Sequence, residues 1–282
     1  MNRILITGAS GHIGKRVAEL LSGQELRLMA RKPEKLGAFT GAEKVQGDYS
    51  DPASLAAAFE GIQTAFIVSG YAAPGERALL HKNAIDAAVR ADVSHLVYLS
   101  FQGAAPDSRF PMSRDHFQTE AFIRQSGIPY TILRDSFYLD LVPDMFGKGR
   151  TMKGPGGNGK VAWVSREDAA GSVSAVLQNP GQFTGTYDLT GPAALSLAET
   201  ADRLSALTGN AYTYVEETVE EGTQWRNKLD APEWEVETWI GSYLAIAAGE
   251  VAPVSKAVKD ITGRDPMNIE TYFTRFPHGL NV

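Results

Sequence analysis

The chain has 282 residues, 43% of them apolar, enough to bury a full core in one large domain or in a domain with a smaller lobe. Its net charge of -6 argues against nucleic acid as the main partner, because phosphate backbones are met by basic faces. With no cysteine, disulfides, thiolate chemistry and cysteine metal sites are excluded together.

The first element is a strand, Arg3-Ile4-Leu5-Ile6, that runs into a turn with glycines at 8, 11 and 14. An amphipathic helix follows, with Val17, Leu20 and Leu21 on one face. Gly8 allows a sharp turn, Gly11 lets backbone approach a pyrophosphate, and Gly14 lets the helix pack closely on the sheet. The helix N-terminus then offers free N–H groups and a positive dipole end to phosphates. A signal-peptide pattern is absent, and no apolar run approaches the ~20 residues of a membrane span. The expected compartment is cytoplasmic.

Leu26–Ala30 reads as the second strand. It ends at Arg31, with Lys32 and Lys35 close behind. An acid at this point suits the ribose 2′-hydroxyl of NAD, whereas a base suits the 2′-phosphate of NADP. One charge-assisted hydrogen bond is worth about 1.5–3 kcal/mol, which amounts to tenfold or more in affinity. The alternative for this segment is a solvated basic turn.

Glu43–Gly47 reads as a third strand, closed by Asp48 and Tyr49. Asp51-Pro52 then caps a helix through Phe59. Strands follow at Gln63–Gly70, His95–Ser100 and Tyr130–Arg134, separated by helices at Glu76–Ala91 and Ser113–Gln125. This alternation predicts an α/β chain: a doubly wound parallel sheet with helices on both faces. Its ligand lies outside the C-terminal strand ends, which directs attention to Ser69, Ser100, Phe101 and the segment after Arg134.

The Gly-rich run Gly154–Lys160 reads either as a mobile loop, spanning 147–162 and able to close over a substrate, or as a plain connector. Ser165 caps a helix over Arg166–Gln178, with Asp168 as a capping-box-like partner. A strand at Thr186–Leu189 follows. Helices are then expected at Leu197–Thr208, Glu220–Leu229, Glu233–Ala248 and Ile269–Phe276. The expected division is a nucleotide-binding domain over 1–190 and a smaller, mostly helical lobe over 191–282. Trp225, Trp234 and Trp239 in the late helices fit a substrate pocket, a lobe core or an interface.

With these motifs placed, the chain resembles the NmrA-like atypical short-chain dehydrogenases, and within them the quinone oxidoreductase type 2 and triphenylmethane reductase branch. The residues that carry the resemblance are Gly8-Ala9-Ser10-Gly11-His12-Ile13-Gly14, Arg31, Gly47-Asp48-Tyr49, His116-Phe117-Gln118-Thr119-Glu120, Gly127–Arg134, Gly159-Lys160 and Ser165-Arg166-Glu167-Asp168. The resemblance implies a Rossmann-like domain that binds NADP(H). By position, Gly8, Ser10, Gly11, His12 and Ile13 would hold the pyrophosphate and Arg31, with Lys35 near, the 2′-phosphate. Asp48 and Tyr49 would lie by the adenine. Val68 and Ser69 would flank the nicotinamide-side ribose. Ser100, Phe101, Phe137 and Tyr138 would sit near the nicotinamide. The activity implied is hydride transfer to a conjugated acceptor such as a quinone or dye. A non-catalytic NADP(H)-sensing regulator is the alternative within the same group.

The chain departs from typical short-chain dehydrogenases at the Tyr-x-x-x-Lys dyad. The matching positions are Met112 and His116, and methionine cannot transfer a proton. A quinone or cationic dye accepts hydride without a strong general acid, so the protein supplies position, a dry pocket and electrostatics. His116 is the candidate acid or ribose-binding group on its helix; its bland reading is a buried residue that orients neighbours. Tyr138 is a second candidate proton donor or a stacking ring. Glu120, one helical turn after His116, is expected to bond to it. Asp135 stands where the branch favours asparagine. The five histidines, 12, 81, 95, 116 and 278, are scattered, so no metal site is expected. No Gly-x-Ser-x-Gly elbow supports hydrolase chemistry. The expected partner is a quinone-like or aromatic small molecule, with no nucleic acid and no membrane, and a homodimer is left open.

Overall fold

The computed structural model describes residues 2–277 and Leu280. His278 and residues 279, 281 and 282 of the expected lobe lie outside the described residues.

The elements run β1 (Ile4–Ile6), α1 (His12–Leu20), β2 (Leu26–Ala30), β3 (Glu43–Gln46), α2 (Pro52–Phe59), β4 (Thr64–Ile67), α3 (Glu76–Arg90), β5 (His95–Phe101), α4 (Pro111–Gln125) and β6 (Tyr130–Asp135). They continue with α5 (Val142–Phe146), β7 (Thr151–Gly154), β8 (Lys160–Val161), α6 (Arg166–Gln178), β9 (Gly185–Leu189), β10 (Leu195–Ser196) and α7 (Leu197–Thr208). Last come β11 (Thr213–Glu216), α8 (Val219–Arg226), α9 (Glu233–Ala247), α10 (Ala257–Thr262) and α11 (Ile269–Arg275).

Seven strands form one parallel sheet in the order β3-β2-β1-β4-β5-β6-β9, flanked by helices in a Rossmann-like arrangement. Ile4 is in register with Leu26 on one side and Thr64 on the other. The strand order therefore reverses between β1 and β4, the point where such sheets open a crevice for a ligand. The central strands are apolar runs buried along their whole length, as a sheet covered on both faces requires. Leu5, Met29, Leu55, Phe59, Ile67, Leu96 and Ile132 belong to one core cluster. Asp51 caps α2 as its sequence predicts, accepting from Ala53 N at 3.0 Å and Ser54 N at 3.3 Å.

The chain divides into two compact units. Unit 1 comprises residues 1–101, 115–134 and 169–187, and carries most of the seven-stranded sheet. Unit 2 comprises 102–114, 135–168 and 188–282. The last segment of unit 2 begins near the boundary expected after residue 190, and the unit also takes in two earlier segments, which leave the sheet after β5 and β6.

Residues 147–162, expected as a mobile loop, are built into unit 2. β7 pairs in parallel with β11, and β8 pairs antiparallel with β10. Gly156 N–H donates to the Tyr214 hydroxyl at 2.9 Å and Gly157 N–H to Glu216 at 2.8 Å. Gly154 and Gly159 serve close packing, whereas Gly157 supplies a left-handed turn at φ +54°. A Cβ on Gly154 would lie 2.5 Å from the Tyr243 ring, and one on Gly159 would lie 2.0 Å from the Ile246 carbonyl oxygen.

Candidate active site

The crevice at the β1–β4 reversal is lined by the turn after β1. Gly8 has φ +57°, a left-handed backbone that favours glycine. A Cβ on Gly14 would lie 2.4 Å from the Gly8 carbonyl oxygen and 2.8 Å from its carbon, so α1 starts directly against the turn. Lys15 N–H is returned to Gly11 O at 2.9 Å. Ahead of it, the N–H groups of His12, Ile13 and Gly14 have no intrahelical acceptor, the usual state of a helix start. An anion placed here meets N–H donors and the positive end of the helix.

A pocket of about 280 Å³ opens at this turn. Its wall includes Gly8, Ser10, Gly11, Arg31, Asp48, Tyr49, Val68 and Ser69, eight of the residues expected from sequence to contact cofactor. His12 is exposed and Ile13 is buried at the start of α1. Arg31 is exposed at the end of β2, and Lys35 is exposed in the short 3-10 turn that follows. Asp48 accepts from Ser50 N at 2.9 Å and Ser50 Oγ at 2.8 Å. These bonds, with Arg31 nearby, hold its carboxyl below the ordinary value. The Tyr49 hydroxyl reaches Thr7 Oγ1 at 2.6 Å and donates to Val68 O at 2.9 Å, and burial pushes its phenol up. Thr7, Gly70 and Tyr71 were not among the expected cofactor contacts. Gly70 and Tyr71 also line the pocket, and Tyr71 is 75% exposed. Their position at the C-terminal end of the fourth strand was the available signal.

His116 is buried in unit 1, its ring 6.2 Å from that of Phe101. Its Nδ1 lies 2.8 Å from the Tyr98 hydroxyl. Burial first, then the Arg77 charge, drives the imidazole well below its ordinary value. Glu120 does not bond to His116. It is fully buried, accepting from Ser100 Oγ at 2.6 Å, from Arg134 Nε and Nη2 at 2.7 Å each and from Arg124 Nη2 at 2.8 Å. Helical spacing brings the two residues to one face, but two guanidiniums offer a carboxylate more than an imidazole does. Ser100, expected near the nicotinamide, is the buried donor to this carboxylate.

Phe137 and Tyr138 belong to unit 2. The Tyr138 hydroxyl donates to the Asp135 carboxylate, and Arg166 lies over its ring at 5.3 Å. Burial, then the Asp135 charge, pushes its phenol well up. Phe137 packs with Phe110 at 5.6 Å and Trp163 at 6.3 Å. It lines a cavity of about 590 Å³ whose wall also includes Phe110, Leu141, Trp225, Trp239 and Tyr243, with Asp144, Lys153 and Arg226 as polar members. Trp225 and Trp239 thus line a cavity; the buried indole is Trp163, at 3% exposure. Arg226 is held by Lys153 O at 2.7 Å and Gly222 O at 3.0 Å, and stacks over Trp225 at 4.2 Å. Among the described residues no group of His, Asp and Glu is arranged to hold a metal ion, and no helix is long and apolar enough to cross a membrane.

The profile of the NAD(P)H-binding family matches residues 8–180. The chain belongs to that family. It is 31% identical over 270 residues to the NAD(P)H azoreductase of Xenophilus azovorans, with 93% of each chain covered. In structure it is similar to the NADPH-dependent quinone oxidoreductase of Escherichia coli solved with NADPH. That match has a TM-score of 0.88, 27% identity and coverage of 98% of this chain and 100% of the other. The triphenylmethane reductase of Citrobacter solved with NADP(H) gives a TM-score of 0.87 at 28% identity, covering 96% and 99%. The turn fits a dinucleotide on this chain's own geometry, because Gly8 takes a left-handed φ and the missing Cβ of Gly14 lets the start of α1 lie against the Gly8 carbonyl, which brings its N–H groups to the pocket.

Proposed function

We propose that this chain is an NADPH-dependent reductase that passes a hydride to a planar, conjugated acceptor such as a quinone or a dye. The nicotinamide supplies the hydride when bound. The turn at Gly8–Gly14 and the start of α1 bind the pyrophosphate. Arg31 meets the 2′-phosphate, with Lys35 adding charge, and no acid stands at the end of β2 to favour NAD. Asp48 and Tyr49 face the adenine side, and Val68 and Ser69 the nicotinamide-side ribose.

The observation that carries the reading is the open aromatic cavity of unit 2. Its volume of about 590 Å³ suits a multi-ring molecule, and Phe110, Phe137, Trp225, Trp239 and Tyr243 offer faces on which conjugated rings stack. A dinucleotide sensor that turns nothing over has no need of such a space. The names of the similar proteins, a quinone oxidoreductase, a triphenylmethane reductase and an azoreductase, support the same acceptor class. In this reading segment 191–282 contributes much of the acceptor side. The protein works in the cytoplasm on small molecules, its net charge of -6 being unsuited to a nucleic-acid partner, and a homodimer is compatible with this reading.

Arg31→Ala tests the cofactor assignment. Calorimetric titration should show NADPH binding weakened tenfold or more, the loss of one charge-assisted hydrogen bond. NADH binding should change by less than about twofold. Equal losses for both nucleotides would remove Arg31 from the 2′-phosphate.

A further inference from the structure

A run of hydrogen bonds in unit 1 links the loop after β4 to His116, and its donors and acceptors can be assigned one by one. Gly70 N–H has only a proton to give, and it lies 2.9 Å from His81 Nε2. That nitrogen is an acceptor, so the neutral His81 ring carries its proton on Nδ1. His81 Nδ1–H faces Thr119 Oγ1 at 2.9 Å and, more weakly, the Tyr98 hydroxyl at 3.5 Å. Thr119 sends its own proton to the Asp115 carbonyl at 2.7 Å. Tyr98 therefore has two imidazole neighbours, of which His81 is already a donor, and it also faces Thr119 Oγ1, which the His81 proton already occupies. Its hydroxyl proton goes to His116 Nδ1 at 2.8 Å. With Nδ1 accepting, the His116 ring carries its proton on Nε2. Among the described residues Nε2 makes no hydrogen bond.

We infer that Gly70, His81, Thr119 and Tyr98 fix His116 as the Nε2–H tautomer, a permanent neutral hydrogen-bond donor toward a ligand oxygen. In this arrangement His116 donates a hydrogen bond without giving its proton up. His81 and Tyr98 are positioning residues that act through it. The burial of both rings supports the neutral state. His81 is 0% and His116 6% exposed, and burial pushes His81 down to about 3. The cations facing the pair act in the same direction: Arg77, held by Asp115 at 3.3 Å, and Arg134, held by Glu120. His81 also anchors the loop it reads. Gly70 N–H is bonded to it, and Gly75 N–H, five residues on, is bonded to Asp115 at 2.8 Å. One set of buried side chains on α3, β5 and α4 thus holds both ends of a loop at the dinucleotide pocket and sets the tautomer of His116. The ligand oxygen is a hydroxyl of the nicotinamide-side ribose or a carbonyl of the electron acceptor. This last assignment rests on the reductase reading; the tautomer does not.

The test is a two-bond proton–nitrogen correlation spectrum of the ¹⁵N-histidine-labelled full chain without nucleotide, between about pH 5 and 8, the range where an ordinary histidine titrates. His81→Gln and His116→Gln variants assign the signals. His81 should show the Nδ1–H pattern and His116 the Nε2–H pattern, neither titrating. A His116 signal in the Nδ1–H form, or one that protonates in this range, would overturn the assignment. Tyr98→Phe should convert the His116 signal to a tautomer mixture, and an unchanged signal would break the relay. His116→Leu then locates the oxygen. A fall of tenfold or more in kcat/KM with both a quinone and an oxygen-free triarylmethane cation places it on the ribose. A fall confined to the quinone places it on the acceptor. No fall with either removes the donor role. If the wild type turns over neither acceptor, the reductase reading fails while the spectrum still decides the tautomer.

Discussion

Glu120→Gln should destabilise the protein through loss of half the hydrogen bonds of one buried carboxylate. Oε1 takes Ser100 Oγ and Arg134 Nε, and Oε2 takes Arg134 Nη2 and Arg124 Nη2. A glutamine keeps one oxygen and turns an NH2 group toward two donors. Two charge-assisted hydrogen bonds are worth about 3–6 kcal/mol together. Arg124 and Arg134 are 39% and 22% exposed and regain water, which lowers the net cost to about 2–4 kcal/mol, near the range for breaking a buried pair. Urea unfolding at pH 7 measures it directly. The pH dependence supplies an internal check. Burial raises the Glu120 carboxyl, but the bonds from Arg134 and Ser100 and the Arg134 charge outweigh it and hold the folded value below the ordinary one. Such a group adds stability that is fully present above its unfolded pKa and is lost as pH falls through its folded pKa. The gap between wild type and variant should be constant from pH 7 down to the ordinary glutamate range and should narrow below it. A variant within about 0.5 kcal/mol of wild type at pH 7, the scatter of an ordinary surface substitution, would mean that these bonds to Glu120 do not hold the fold. So would a gap that stays fixed in acid.

Gly14→Ala places a methyl 2.4 Å from the Gly8 carbonyl oxygen. Overpacking of this kind costs about 1–3 kcal/mol, and here the backbone that holds the pyrophosphate must move. Calorimetry should show NADPH affinity reduced more than tenfold; unaltered affinity would mean that α1 does not meet the phosphates. Trp239→Ala opens the unit 2 cavity without touching the crevice of unit 1. The KM for a multi-ring acceptor should rise roughly tenfold, about 1.4 kcal/mol, with NADPH dissociation unchanged. An unchanged KM would remove the cavity from the acceptor.

Much of the sheet was legible because its signals are local. Buried strands such as Leu26–Ala30 and His95–Phe101 are short apolar runs bounded by turn residues. Asp51 and Ser165 announce their helices by capping, and Asp168 N–H does return to Ser165 Oγ at 2.9 Å. The glycines at 8, 11 and 14 marked the turn that lines the pocket. What the sequence hid depends on partners far along the chain. β7 and β11 pair across about sixty residues, Thr151 with Thr213, and each carries only four residues. Gly154 and Gly159 resemble loop glycines until Tyr243 and the Ile246 carbonyl come to rest against them. Spacing also brought Glu120 to the face of His116, yet Ser100, Arg124 and Arg134 compete for the same carboxylate, and Arg134 is fourteen residues away. The aromatic cavity draws on α5, β7, α8 and α9 together, so no single stretch displayed it.

A reductase of this kind turns NADPH over with a conjugated acceptor. The direct measurement follows loss of reduced-nucleotide absorbance with purified protein, NADPH or NADH, a panel of quinones and a triarylmethane dye. NADPH should be oxidised with at least one of these acceptors, at a kcat/KM more than tenfold above that for NADH, the worth of Arg31 on the 2′-phosphate. Tight NADPH binding with no turnover on any acceptor would contradict the reductase reading and make the protein a dinucleotide sensor.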